Sequence, residues 1–221
     1  MGTTIQEARF AALRRNMVEQ HLRLRGIRDQ RVLEAMARVP RHEFILPEYR
    51  GQAYEDHPLP IGEGQTVSQP FIVALMLEAL ALQSSDRVLE VGTGSGYQTA
   101  LLAELTQRVY SVERFASLAE EASSTLARRG YVNVSVSVGD GSHGLPARAP
   151  FDAIVVSAAA PSVPTPLFEQ LGEAGRMVIP VGPVHAQELQ LVKKQDSRAV
   201  VTNLEGCRFV PLMGAAGYDS E

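Results

Sequence analysis

One cysteine, Cys207, stands in 221 residues, so no internal disulfide forms and no cysteine cluster is present to hold a metal. The five histidines, His21, His42, His57, His143 and His185, do not pair at ligand spacing, which leaves a metal without donors. Positive charge is not in excess: the formal net charge is −4, and no overall basic balance points to a nucleic-acid partner. No apolar stretch is long enough to span a bilayer. The N-terminus carries acids and no continuous hydrophobic run, so it does not read as a secretory signal, and the cytoplasm is the expected compartment. Internal repeats and low-complexity segments are lacking as well. What remains is ordinary globular composition, 45% hydrophobic and 21% charged, in a length that suits one large α/β domain with an appendage.

The most informative stretch runs from Arg87 to Tyr97. Val88, Leu89 and Val91 read as a short buried strand, Gly92, Gly94 and Gly96 break it, and Gln98 to Leu105 has helical spacing. Strand, glycine turn and helix form the first unit of a doubly wound sheet, where the backbone must turn tightly and let a ligand approach. Two acids sharpen the reading. Glu90 precedes the first glycine by two residues, where a carboxylate would repel a pyrophosphate. Glu113 ends the next apolar run, twenty-one residues after Gly92, close to the spacing of a ribose-binding acid. A ligand with a ribose and a cationic end suits both acids, which describes S-adenosyl-L-methionine better than NAD. A nicotinamide fingerprint would also place its third glycine at Tyr97, and this chain has Gly96 instead.

Upstream, Thr4 and Glu7 fit a capping box, and Phe10, Leu13, Met17 and Leu24 recur at helical spacing up to Gly26. Asp29 reads as the next N-cap, ahead of Val32, Leu33 and Met36, and Val39-Pro40 ends that helix. Arg14, Arg15, Arg23, Arg25, Arg28 and Arg31 read as a solvated basic face, since acids and no aromatics accompany them; binding RNA is the rival use. From Pro47 to Pro70 prolines and glycines are too dense for a helix or a central strand. This is either a surface connection or a loop folded over a ligand, with Gln65, Thr66 and Ser68 as donors and acceptors. Phe71 to Leu82 reads as an apolar helix.

Downstream the alternation continues: strand Val109–Val112, helix Leu118–Arg129, strand Asn133–Val138, strand Phe151–Val156, short helix Leu167–Leu171, a turn at Gly172 and Gly175, and strand Met177–Val181. Glu188–Lys194 and Ala199–Asn203 form a hairpin around Gln195-Asp-Ser, and Arg208–Leu212 reads as a last strand. The expected fold class is α/β, a doubly wound, mostly parallel Rossmann-like sheet with an N-terminal helical appendage and antiparallel C-terminal strands. Residues 1–82 are expected as helices and an active-site loop packed on the core, and 83–221 as the cofactor-binding domain, one compact unit overall. Asp140, between Gly139 and Gly141 at a strand's carboxyl end, is a candidate ligand contact. Ser95 does not sit in a nucleophile elbow, and Cys207 reads as a small core residue.

Several segments carry a family resemblance. Val39-Pro-Arg41 with Phe44, Leu59-Pro-Ile-Gly62, Gly64-Gln-Thr-Val-Ser-Gln-Pro70, Leu89-Glu-Val-Gly-Thr-Gly-Ser-Gly-Tyr-Gln98, Gly139-Asp-Gly141 and Arg208-Phe-Val-Pro-Leu212 occur in that order along nearly the whole chain. They resemble the protein-L-isoaspartate O-methyltransferases of the class I superfamily. The glycine turn is common to all class I methyltransferases, whereas the Gly64–Pro70 segment is far more specific. The resemblance departs at Ser142-His143, where many bacterial relatives place a bulky aromatic. It implies methyl transfer from S-adenosyl-L-methionine to the α-carboxylate of isoaspartyl residues in damaged proteins and peptides, with S-adenosyl-L-homocysteine as product. The methyl ester then collapses to a succinimide.

By the same resemblance Gln65, Thr66, Val67 and Ser68 close over the cofactor, with Ser68 at the reaction centre. Glu90, Gly92, Thr93, Gly94 and Gly96 form the turn beneath it, Glu113 with Arg114 meets the ribose, and Asp140 with Gly141 the adenine. Pro60, Ile61, Val210 and Pro211 line the peptide groove. No metal, nucleic acid or membrane is implied, and a monomer is expected. A carboxylate has a pKa of about 3.5 to 4, so at neutral pH it is already the nucleophile and needs no base. A related enzyme acting on RNA or a small molecule would share the cofactor half.

Overall fold

The computed structural model describes residues 2–218, with side chains from residue 5 onward. Helix α1 (Gly2–Met17) begins before the expected cap at Thr4, whose side chain lies outside the described residues. Past Met17 the helix widens into a π turn, Val18–Leu22, then tightens into a 3₁₀ turn, Arg23–Arg25, stopped by Gly26 at φ +106°. The wider turn rotates the apolar stripe. Val18 and Leu22 are therefore buried, while Leu24, expected on the same face as Phe10 and Met17, is 73% exposed. Helix α2 (Gln30–Arg38) starts as expected, with the Asp29 carboxylate accepting from the amides of Arg31 at 2.8 Å and Val32 at 3.4 Å.

The stretch expected as loop from Pro47 to Pro70 is more ordered than its composition implies. After a 3₁₀ turn it folds into a hairpin, β1 (Leu59–Gly62) and β2 (Gln65–Val67), which reverses at Glu63 and Gly64, both at positive φ. Pairing the two short strands satisfies backbone groups that a long loop would leave to solvent. Helix α3 (Pro70–Leu80) follows, with Pro70 in the first turn, where its missing amide is not needed.

The sheet comprises β3 (Arg87–Val91), β4 (Arg108–Glu113), β5 (Val134–Val138), β6 (Phe151–Val156), β7 (Leu171–Val181), β8 (Gln187–Gln195) and β9 (Arg198–Cys207) in the order β5-β4-β3-β6-β7-β8-β9. Neighbours from β5 to β7 run parallel and the β8–β9 hairpin is antiparallel. Helices α4 (Tyr97–Leu105), α5 (Ala116–Arg128) and α6 (Thr165–Glu169) join the parallel strands. The strand order reverses between β3 and β6, which creates the crevice at their carboxyl ends.

Two expectations fail here. β7 already begins at Leu171, so Gly172 and Gly175 lie within a strand, with an irregular register against β6. Arg208–Leu212 is not a sheet strand: it crosses the carboxyl edge, forming an isolated bridge from Pro211 to Ala159 in the segment after β6 and donating from the Phe209 amide to Gln187 Oε1 of β8 at 2.9 Å.

One core spans the appendage and the sheet, joining Phe10, Met36 and Phe44 to Val88, Leu101 and Val155; a second fills the opposite face around Leu89, Ile154 and Met177. Several arginines expected on a solvated face serve this packing. Arg14 Nε donates to the Ala37 carbonyl at 2.7 Å, Arg31 Nη2 to the Leu105 carbonyl at 2.6 Å, and Arg25 lies 3.5 Å over the Phe71 ring. Arg31 thus caps the last carbonyl of α4. Among the described residues no helix is long and apolar enough to cross a membrane, and no three His, Cys, Asp or Glu side chains group to hold a metal.

Candidate active site

A cavity occupies the switch point, where a doubly wound sheet takes its ligand. Its floor is the turn after β3, where Gly92, Thr93 and Gly94 are exposed to it. Glu113 and Arg114 enter from the end of β4, Gly141 from the end of β5, and Ser157 and Ala158 from the end of β6. The β1–β2 hairpin covers one side with Ile61, Gln65, Thr66, Val67 and Ser68, and the crossing segment closes the other with Val210, Pro211, Leu212 and Met213. Segments more than a hundred residues apart thus meet in one hollow.

Glu113 is buried yet faces this hollow. Its Oε2 accepts from the Gly94 amide at 2.9 Å and its Oε1 from the Phe115 amide at 3.1 Å. Each oxygen keeps a lone pair for a hydroxyl, and the two backbone amides fix where it points. Gly94 sits at φ +53°, and a Cβ there would lie 3.1 Å from Ile61 Cδ1, so turn and hairpin approach closely. Gly96 lies outside the cavity wall; a Cβ on it would meet Ala122 of α5 at 3.2 Å, which makes it a helix-packing glycine.

Two acids named from the sequence turn elsewhere. Glu90 is fully buried behind the turn, accepting from Thr99 Oγ1 at 2.5 Å, Ser111 Oγ at 2.7 Å and Gln98 Nε2 at 3.4 Å. It reaches the cavity wall through Gln98, whose Nε2 also donates to Ser157 Oγ at 2.9 Å, and through Ser111, whose hydroxyl is 2.6 Å from that of Thr93. Burial pushes its pKa up to about 7 despite those three donors. The Asp140 carboxylate points at the C-terminal tail: Oδ1 accepts from Ser142 N at 2.9 Å and Ser142 Oγ at 2.7 Å, and Oδ2 from Ala215 N at 3.0 Å. Partial burial raises its pKa, but these hydrogen bonds outweigh it and hold the group below its ordinary value. Pro60 is exposed and lines neither the cavity nor its groove, because alternation on β1 turns Ile61 inward and Pro60 outward.

The cavity opens at Thr66, Ser68, Ser157 and Val210 into a groove between the Gln69–Ile72 segment and residues 181–188. Among the cavity walls, Ser157 and Met213 carry no motif of their own; only their place after a strand end and on the crossing segment marks them.

Glu90 supplies a stability test. Its folded pKa lies above the unfolded value, so between pH 4.5 and 7 the folded chain holds a proton that the unfolded chain has released. Its contribution is fully present below the unfolded value and is lost as pH rises toward 7, a swing of about 3 kcal/mol at most. Glu90→Gln should flatten that decline, so that urea melts at pH 5, 6.5 and 8 show the wild type losing stability relative to the variant. A pH-independent difference would mean Glu90 stays ionised.

An open, mostly parallel sheet reversing at β3, with a glycine turn and a carboxylate after the next strand, defines a class I methyltransferase fold. The model of the Protein-L-isoaspartate(D-aspartate) O-methyltransferase (PCMT) family matches residues 13–217, and the chain belongs to that family. It is 56% identical over 209 residues to the protein-L-isoaspartate O-methyltransferase of Koribacter versatilis, covering 95% of this chain and 94% of that one. A solved protein-L-isoaspartate O-methyltransferase matches with a TM-score of 0.83 and 33% identity over 92% of this chain and 67% of that one. A Plasmodium falciparum structure assigned to the same activity, in complex with S-adenosyl-L-homocysteine, matches with a TM-score of 0.80 and 27% identity over 90% and 98%.

Proposed function

We propose that this chain transfers a methyl group from S-adenosyl-L-methionine to the α-carboxylate of L-isoaspartyl residues in damaged proteins and peptides, giving a methyl ester that closes to a succinimide. The observation that carries this reading is the hollow joining Gly94 and Glu113 to the Gln65–Ser68 segment, which opens at Ser68 into the adjoining groove. The walls suit the cofactor: a fixed carboxylate for ribose hydroxyls and apolar Val91, Val112 and Leu118 for a base.

When bound, S-adenosyl-L-methionine supplies a methyl group activated by the positive sulfur. The residues of the chain bind, orient and exclude water. Glu113 holds the ribose, Gly92 to Gly94 let the ligand lie against backbone, and Gly141 borders the adenine. Ser68 donates a hydrogen bond that fixes the peptide carboxylate; Ile61, Val210 and Pro211 flank it. The substrate carboxylate is ionised at neutral pH, so it needs no serine–histidine pair to activate it. Residues 1–82 supply the covering hairpin and 83–221 the cofactor floor. The reading includes a monomer in the cytoplasm, with neither nucleic acid nor membrane as partner.

Incubation with labelled S-adenosyl-L-methionine and paired peptides, identical except for isoaspartyl or aspartyl linkage, tests it. Base-labile label in the isoaspartyl peptide alone is expected. Equal labelling of both, or label entering RNA instead, would overturn the reading.

Glu113→Ala should raise the dissociation constant of S-adenosyl-L-homocysteine by about ten- to a hundred-fold, since charge-assisted bonds contribute about 1.5 to 3 kcal/mol. Titration calorimetry reads this directly, and unchanged affinity would remove Glu113 from the ribose.

A further inference from the structure

Arg41, from the Val39-Pro-Arg41 motif, borders neither the cavity nor the groove, yet it is a fully buried cation. Its Nε donates to the Ala53 carbonyl at 2.9 Å and its Nη2 to the carbonyl of Ser68 at 2.8 Å, while the guanidinium lies 4.7 Å over the Tyr97 ring. Nη1 has no hydrogen-bond partner, and Arg41 takes part in none of the ion pairs among the described residues. Burial accordingly pulls its pKa below the ordinary arginine value. A buried cation with no carboxylate paired to it is costly, even with the charge of Asp56 nearby, and an apolar side chain of similar volume would pack there at lower cost. What the guanidinium offers instead is geometry: one rigid fork spans the 53 and 68 backbones, which the single ammonium of a lysine does not reproduce.

The same short stretch is held from its other side. Asp56 Oδ1 accepts from the Phe71 amide at 3.0 Å and Oδ2 from Gln69 Nε2 at 2.8 Å, and Asp56 also pairs with Arg25. Ser68 thus lies between an arginine bonded to its own carbonyl and an aspartate bonded to the next residue and to the start of α3. Tyr97, under the guanidinium, belongs to the first turn of α4 and lines the cavity, so the clamp refers Ser68 to the same element that carries the glycine turn.

We propose that Arg41 and Asp56 are positioning residues that fix the Ser68 backbone against the glycine turn for methyl transfer; this rests on the reading of Ser68 given above. A displacement of about 1 Å at a reacting centre lowers rate by up to a hundredfold without touching the reactants.

The test is a double-mutant cycle with Ser68, using an isoaspartyl peptide. Arg41→Lys should lower kcat about ten- to a hundredfold while S-adenosyl-L-homocysteine affinity stays within about threefold of wild type. In a Ser68→Ala background the same substitution should cost less than about threefold, because the residue it positions is already gone. Asp56→Asn keeps the side-chain volume and should follow the same pattern with a smaller loss, so the cycle stands even if Arg41→Lys fails to fold. Hydrogen exchange over residues 65–70 should quicken in either variant while β3 and β4 stay protected, a readout independent of activity. Losses that add to that of Ser68→Ala, parallel loss of cofactor affinity, or unchanged exchange over 65–70 would overturn the proposal. A wild-type chain inactive on the isoaspartyl peptide would instead sink the functional reading, leaving the exchange result to judge the clamp.

Discussion

Gly94→Val should lower affinity for S-adenosyl-L-homocysteine by on the order of a hundredfold or more. Gly94 sits at φ +53°, in the left-handed region, where a side chain costs about 1 to 2 kcal/mol and a β-branched one more. Its Cβ would start 3.1 Å from Ile61 Cδ1, and the two valine methyls would reach further into the hairpin. Such overpacking adds about 1 to 3 kcal/mol. The turn escapes only by moving away from the hairpin, which breaks the 2.9 Å bond between the Gly94 amide and Glu113 and frees the carboxylate proposed for the ribose. Gly94→Ala should be milder, since one methyl displaces only the flexible end of Ile61. Calorimetry with S-adenosyl-L-homocysteine, alongside thermal melts, separates lost binding from lost fold. A valine variant that binds within threefold of wild type would show that the turn is not where the ligand approaches.

Ser68→Ala should lower kcat by about ten- to a hundredfold, leave cofactor affinity nearly intact and preserve the shape of the pH–rate profile. Ser68 borders both the cavity and the groove, at the point where a peptide carboxylate would meet the cofactor. No histidine, aspartate or glutamate neighbours it in sequence, and its carbonyl, not a base, is what Arg41 holds. A hydroxyl so placed donates a hydrogen bond to a charged oxygen, and losing one costs about 1.5 to 3 kcal/mol. A titrating limb lost from the profile would point to proton transfer instead. A methyl-serine adduct trapped by mass spectrometry would overturn direct transfer.

The architecture follows from short-range signals, and those are legible in the chain. Strand, glycine turn and helix at 87–105, the acid at Glu113, the Asp29 cap and the hairpin at Gln195-Asp-Ser each depend on period and turn chemistry within a few residues. Their alternation is enough for a mostly parallel sheet with the ligand crevice at its carboxyl edge. What lay beyond such signals depends on partners far along the chain. Glu90 faces inward because Thr99 and Ser111 bring hydroxyls to it from α4 and β4, and Asp140 faces the tail because Ala215 offers an amide 75 residues away. The 59–67 stretch pairs into a hairpin, and the π turn after Met17 sends Leu24 outward, in response to packing that no local period records. Arg41 reaches the Ser68 carbonyl across 27 residues of chain. Sequence alone therefore determined the fold class and the strand ends where the site forms; tertiary structure decided which side chains turn toward it, because a buried polar group points to whichever distant donor or acceptor satisfies it.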